Sequence, residues 1–192
     1  MNPKVKRMLL KSATALVGAD LPHAFGGAIA MAAWGYSRET QDVDVFVNQS
    51  DTHEVLRVLR EAGFQIVPVM EPFHYAGYLG RVKDPEERID ILFPADDPDW
   101  SAVQAPESKP LAGRSIEVFP LVLLIASKFY ANRPKDELDI AHMLSRGLFD
   151  PKKVEAILRR MGDLDGADEF RALITQLSAE RPQRKRPPRR TT

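Results

Sequence analysis

An α+β architecture, with a mixed β-sheet flanked by helices and a helical part at the C-terminal end, is expected from three features of this 192-residue chain. Short β-branched and aromatic runs are concentrated between Pro22 and Phe119, and helical periodicity takes over after Pro120. The first of those runs leads into Gly-Gly and a short helix. Two later runs carry carboxylates among apolar residues. Hydrophobic residues make up 44% of the chain, enough to bury the core of one domain.

The N-terminal twenty residues read as an amphipathic helix with Val5, Met8, Leu9, Ala13 and Leu16 on one side. "PHAF" (Pro22–Phe25) is a short strand before Gly26 and Gly27, and Ala28–Trp34 is a helix that Gly35 ends. "VDVFVN" is a strand. "SDTHEVLRVLREAGF" is a helix with a Ser/Asp cap that stops at Gly63. "QIVPV" is a strand that Pro68 assigns to a sheet edge. "FHYAGYLGRVK" and "RIDILFP" form a hairpin across the turn sequence "DPEE". "DDPDWSAVQAPESKPLAG" has no periodicity and is expected as an irregular loop, and "RSIEVFP" is a strand. Pro120 opens a helix running to about Tyr130, "NRP" breaks it, and "KDELDIAHMLSRG" makes the next. "DPKKVEAILRRMG" and "ADEFRALITQLSAE" are two more. The expected organisation is a principal domain over residues 1–148, C-terminal helices over 149–180, and a disordered basic tail over 181–192.

Cysteine is absent, which excludes a disulfide framework and thiolate metal sites. No run is long enough to span a membrane, and Lys11 interrupts what would otherwise be a signal-peptide core. A cytoplasmic protein with no membrane partner is expected. The 27 basic and 27 acidic residues balance, but six of the basic ones lie in residues 181–192 with no acid among them. Residues 1–180 therefore carry a net charge of about −6. The proline-rich tail serves either as a solubilising segment or as an attractor of RNA and other polyanions.

The strand around Asp42 and Asp44 carries the chemistry. Side chains alternate along a strand, so these two carboxylates share a face, their backbones roughly 7 Å apart. Held that close they repel unless a cation lies between them. Mg²⁺ takes oxygen ligands and is commonly bound by one or two carboxylates plus substrate phosphates. Asp90 lies between Ile89 and Ile91, so if the isoleucines face the core it faces away from it. Three strand-borne acids on one face suit metal-assisted displacement at phosphorus. Gly26 and Gly27 permit close backbone approach, and the following helix offers N–H groups to a phosphate. Arg38 and Thr40 stand just before the acids. Each feature alone also has a structural explanation, as a turn device or a solvated strand end; together they point to phosphate chemistry. His23 is expected as a satisfied core histidine, and Met31 and Trp34 as core. His74 and Tyr75 are candidates for the rim of the cleft. None of the four histidines has metal-ligand spacing.

"GGAIAMAAWGYSRETQDVDVFV" resembles the Gly-Gly turn and D-x-D of the DNA polymerase β-type nucleotidyltransferase superfamily. The likeness is closest to the abortive-infection (AbiE-type) toxin-like minimal members. The resemblance implies that Asp42, Asp44 and Asp90 are catalytic and bind Mg²⁺, and that Gly26 and Gly27 hold the triphosphate of an NTP such as ATP. "KFYANRPKDELDI" resembles a second motif of the toxin-like branch. It implies that Lys128 reaches the nucleotide phosphates and that Arg133, Lys135, Asp136 and Asp139 build the adjoining wall. The same acids also suit a helix N-terminus, and that alternative stays open. The implied reaction is transfer of a nucleoside monophosphate to a hydroxyl with release of pyrophosphate. The acceptor is an RNA 3′ end such as tRNA, with a cognate antitoxin as a further partner, or alternatively a small molecule as in aminoglycoside- and lincosamide-modifying members. A non-catalytic nucleotide-binding module is the remaining alternative. The chain departs from the pattern where Gly27 replaces the frequent serine, and its last two helices match no motif.

Overall fold

The computed structural model describes residues 1–70, 72–80, 87–94 and 98–179, and among these it builds a seven-stranded mixed sheet flanked by eight helices. In chain order these are α1 (Pro3–Gly18), β1 (His23–Phe25), α2 (Gly27–Ala33), β2 (Asp42–Val47), α3 (Thr52–Glu61), β3 (Gln65–Met70), β4 (His74–Tyr78) and β5 (Arg88–Leu92). They are followed by α4 (Asp99–Gln104), β6 (Glu107–Leu111), β7 (Arg114–Val118), α5 (Leu121–Ala131), α6 (Pro134–Ser145), α7 (Pro151–Arg160) and α8 (Leu164–Ala179). The expected α+β class holds. The "DPEE" turn of the hairpin and the basic tail fall largely or wholly outside the described residues.

The strands run in the order β3-β4-β5-β2-β1-β7-β6. Pro68 does lie on an edge strand, β3, where its missing N–H need not break a ladder on both sides. Strand β2 is central. It pairs antiparallel with β1 and parallel with β5, in a register that sets Asp44 opposite Asp90 and Asp42 opposite Arg88. Residues opposed in neighbouring strands share a face of the sheet. Val43, Val45, Val47, Ile89 and Ile91 are fully buried on the other face, so core packing fixes which way the acids point.

Helix α1 is buried along Val5, Met8, Leu9, Ala13 and Leu16, as its periodicity predicts, and it packs on α3 and β2. Two expectations need correction. The stretch predicted as an irregular loop contains α4 and the edge strand β6, whose pairing with β7 supplies the order that its polar sequence hides. The Ser/Asp cap of α3 makes no side-chain hydrogen bond to the helix; a single 3₁₀ turn over Gln49–Asp51 leads into it instead. The C-terminal helices join the same core through Val154, Leu158, Ala167, Phe170 and Leu177. Phe170 meets the ring of Phe129 on α5 edge-on, with centroids 5.4 Å apart.

Candidate active site

Three carboxylates converge where β2 and β5 run side by side. Asp42, Asp44 and Asp90 each offer an oxygen within 4.8 Å of the others. Asp42 lies nearest solvent and Asp90 is buried, with 7% of its surface exposed. Burial first, and then the negative charges of Asp42 and Asp90, push the Asp44 carboxyl up to about 7 against the pull of Lys135 and Arg133. This set of hard oxygen donors, short of positive charge at its centre, fits a Mg²⁺ ion.

Neighbouring side chains hold the two flanking carboxylates. The Thr40 hydroxyl donates to Asp42 Oδ1 at 2.6 Å. On Asp90, Oδ1 takes hydrogen bonds from Arg88 Nε at 3.0 Å and Nη2 at 2.5 Å and from His74 Nε2 at 2.6 Å. His74, expected at the rim of the cleft, lines the cavity, and Arg88 is a neighbour of the cluster that the motifs did not single out. Arg88 is two residues before Asp90 on the same strand face, a signal present in the sequence. His74 reaches Asp90 only through the β4–β5 register, which no local pattern encodes. Tyr75, alternating to the other face, packs edge-on against Phe93 instead.

The diglycine turn is built around the acids. Gly26 donates its N–H to the Asp44 carbonyl at 3.0 Å, and a Cβ there would sit 2.6 Å from the Phe46 ring. Gly27 has φ of +51°, and a Cβ on it would overlap Asp44 Oδ2. Glycine is therefore required at 27 both by backbone conformation and by the carboxylate it stands against.

The second motif forms a buried ion network. Lys128 on α5, only 5% exposed, donates from Nζ to Asp136 Oδ1 at 2.9 Å and Asp139 Oδ2 at 2.7 Å. Arg133 adds an ion pair to Asp136, and Arg38 Nε reaches Asp139 Oδ1 at 3.1 Å. Burial acts to raise the Asp136 carboxyl, but hydrogen bonds from Arg133 and Lys128 hold it below the usual carboxylate range. The acids thus do structural work in orienting Lys128, which faces the cleft. Two of its three N–H donors are engaged among the described residues.

These groups surround a cavity of about 260 Å³ lined by Gly27, Arg38, Thr40, the three acids, His74, Lys128, Arg133, Lys135 and Asp136. Gly26 and Asp139 stand behind that lining. An adjoining cavity of about 580 Å³ shares Gly27, Asp44, Leu92, Lys128 and Arg133 and extends between β2 and α5. Of the other residues considered, Met31 is fully buried, and Trp34 donates its indole N–H to the Phe119 carbonyl at 2.9 Å. His23 is buried as expected, but among the described residues it is satisfied at one nitrogen only: Nδ1 meets the Leu21 carbonyl at 2.8 Å while Nε2 has no partner there.

The architecture matches solved nucleotidyltransferase structures. The antibiotic-resistance factor ANT(2″)-Ia, solved in solution, is 17% identical, with a TM-score of 0.59 over 93% of this chain and 95% of that one. A nucleotidyltransferase-like antigen of Paracoccidioides brasiliensis is 18% identical, with a TM-score of 0.52 over 87% and 93%. The lincosamide adenylyltransferase LnuA, solved with lincomycin, is 13% identical, with a TM-score of 0.51 over 72% and 96%. The chain therefore has the nucleotidyltransferase fold. At these identities the likeness is one of fold. No protein-family model matches the sequence, and no curated protein does.

Proposed function

We propose that this protein is a Mg²⁺-dependent nucleotidyltransferase that moves a nucleoside monophosphate from an NTP to a hydroxyl acceptor. The observation that carries the reading is the convergence of Asp42, Asp44 and Asp90 within 4.8 Å beside a diglycine turn that the Asp44 carboxylate itself requires. When bound, Mg²⁺ supplies charge neutralisation and alignment of the phosphates. Asp42, Asp44 and Asp90 are the residues that would hold it. Thr40 orients Asp42, and Arg88 with His74 orients Asp90. Lys128, Arg133 and Lys135 bring positive charge to the triphosphate, and Arg38 braces the network behind them. The acceptor oxygen attacks the α-phosphorus, the bond to the bridging β-phosphate oxygen breaks, and pyrophosphate leaves. The acceptor proton passes to Asp90, whose hydrogen bonds from Arg88 and His74 fall on Oδ1.

Two acceptor classes have support. The six basic residues of the 181–192 tail favour an RNA 3′ hydroxyl. The likeness to aminoglycoside- and lincosamide-modifying enzymes favours a small hydroxylated molecule. Incubating the protein with each α-labelled NTP, Mg²⁺, total RNA and an aminoglycoside–lincosamide panel separates them by which pool takes label. Label transfer that survives Asp42→Asn or Asp44→Asn, or wild type that labels neither pool, would refute the reading.

A further inference from the structure

Residues 35–40, which join α2 to β2, carry Arg38 and Thr40 to the acid cluster. Both side chains line the 260 Å³ cavity around the acids, and both line a third cavity of about 600 Å³ bordered by α1, α2 and the β6–β7 turn. A segment with open space on both sides takes its position from the few contacts that hold it. Three of those run to α6 and the residue that follows it. Arg146 donates from Nη1 to the Gly35 carbonyl at 3.0 Å. The rings of Tyr36 and His142 are stacked, with centroids 4.2 Å apart and planes 18° apart. Arg38 Nε reaches Asp139 Oδ1 at 3.1 Å. Positions 139, 142 and 146 are three and four residues apart and so share one side of the helix. Helix α6 also supplies the two acids that hold Lys128, and Asp139 serves both groups, with Oδ1 on Arg38 and Oδ2 on Lys128. One helix therefore sets both Lys128 and the segment that carries Thr40. Thr40 passes that position on, because its hydroxyl donates to Asp42 Oδ1 at 2.6 Å.

We propose that Tyr36 and His142 are positioning residues for the metal–nucleotide site. Their stack, with the Gly35–Arg146 and Arg38–Asp139 contacts before and after it in the segment, holds residues 35–40 so that Thr40 fixes Asp42 in its binding orientation. A carboxylate left free to rotate binds a cation less tightly, because it is ordered only at the moment of binding and the entropy is lost then. His142 is exposed and Tyr36 half-buried, so the stack adds little to the core, and its main effect falls on the segment it holds. The proposal rests on the nucleotidyl-transfer reading and refines it.

The test is Mn²⁺ titration with ATP present, alongside melting temperature. The proteins are wild type, His142→Ala, Tyr36→Leu, Tyr36→Phe, Thr40→Val, and Thr40→Val combined with His142→Ala. Because His142 is exposed, His142→Ala should melt close to wild type and carries the test if Tyr36→Leu does not fold. Losing a stacked ring pair corresponds to about three- to tenfold in an equilibrium constant. His142→Ala and Tyr36→Leu should weaken the nucleotide-dependent Mn²⁺ site by that factor, and Tyr36→Phe, which keeps the ring, should bind as wild type does. Thr40→Val should weaken the site about tenfold by itself. Adding His142→Ala to it should weaken the site no further, since both changes act on the same bond. Mn²⁺ binding that is unchanged in His142→Ala and in folded Tyr36→Leu, whatever their melting temperatures, overturns the proposal and leaves nucleotidyl transfer standing. A His142→Ala loss that adds in full to that of Thr40→Val overturns it too. Wild type that holds no Mn²⁺ with ATP removes the transfer reading, and the proposal falls with it.

Discussion

Replacing Asp44 by asparagine should change how the stability of the metal-free protein depends on pH. In the folded state burial and the neighbouring carboxylates raise this group from its ordinary 3.8 to about 7. Below pH 4 it is protonated in folded and unfolded chains alike and costs nothing. Between pH 4 and 7 the folded protein holds a proton that the unfolded chain has released, so stability falls as pH rises. Above 7 the full cost is present. Three pH units correspond to about 4 kcal/mol, which water and counter-ions in the open cleft reduce to about 2–4 kcal/mol. His23, whose buried ring is pushed below its ordinary 6.5, acts in the opposite direction, favouring the fold as pH rises. Subtracting the variant's profile from that of wild type cancels this and other background titrations. The assay is urea unfolding in EDTA at intervals from pH 4 to 8, repeated with saturating Mg²⁺. Asp44→Asn should be the more stable protein at pH 8 without metal, and Mg²⁺ should restore wild type selectively. A wild-type-minus-variant difference that stays flat across this range would refute the electrostatic account of the cluster.

Three further outcomes follow from the packing. Gly27→Ala forces a left-handed φ on alanine, at about 1–2 kcal/mol, and drives its methyl into the Asp44 carboxylate, so both unfolding free energy and Mg²⁺ affinity should drop. Lys128→Met takes the shared lysine from Asp136 and Asp139, which are 0% and 2% exposed, and leaves each with one arginine, so chemical denaturation should register a loss of about 1–3 kcal/mol. Phe170→Ala empties a fully buried site against Phe129 and should cost about 3–5 kcal/mol in a single cooperative transition if the C-terminal helices fold with the sheet; two separated transitions would contradict that unity.

The acid cluster was legible because strand alternation is a strict code. Apolar residues on either side of Asp90, and valine between Asp42 and Asp44, leave the carboxylates no choice of face. That they meet depends on the parallel β2–β5 register, a long-range pairing that no local pattern encodes; the resemblance implied only that the three acids share metal. Gly27 was legible as a turn, but the clash its Cβ would make with Asp44 belongs to tertiary structure. Strand β6 escaped because an edge strand with Pro110 and half-exposed charges lacks apolar alternation and is ordered by its partner β7. Helix α4 is too short to show a period. The resemblance singled out Lys128, whereas the acids that pair with it also read as ordinary helix-start residues, and the structure shows them bound to it.

The central claim is that three carboxylates from two strands hold a divalent cation together with a nucleotide. Mn²⁺ substitutes for Mg²⁺ in a paramagnetic titration, carried out with ATP present on wild type, Asp42→Asn, Asp44→Asn and Asp90→Asn. The account predicts a nucleotide-dependent Mn²⁺ site in wild type that weakens at least about tenfold in each variant. Equal Mn²⁺ binding in wild type and all three variants would contradict it.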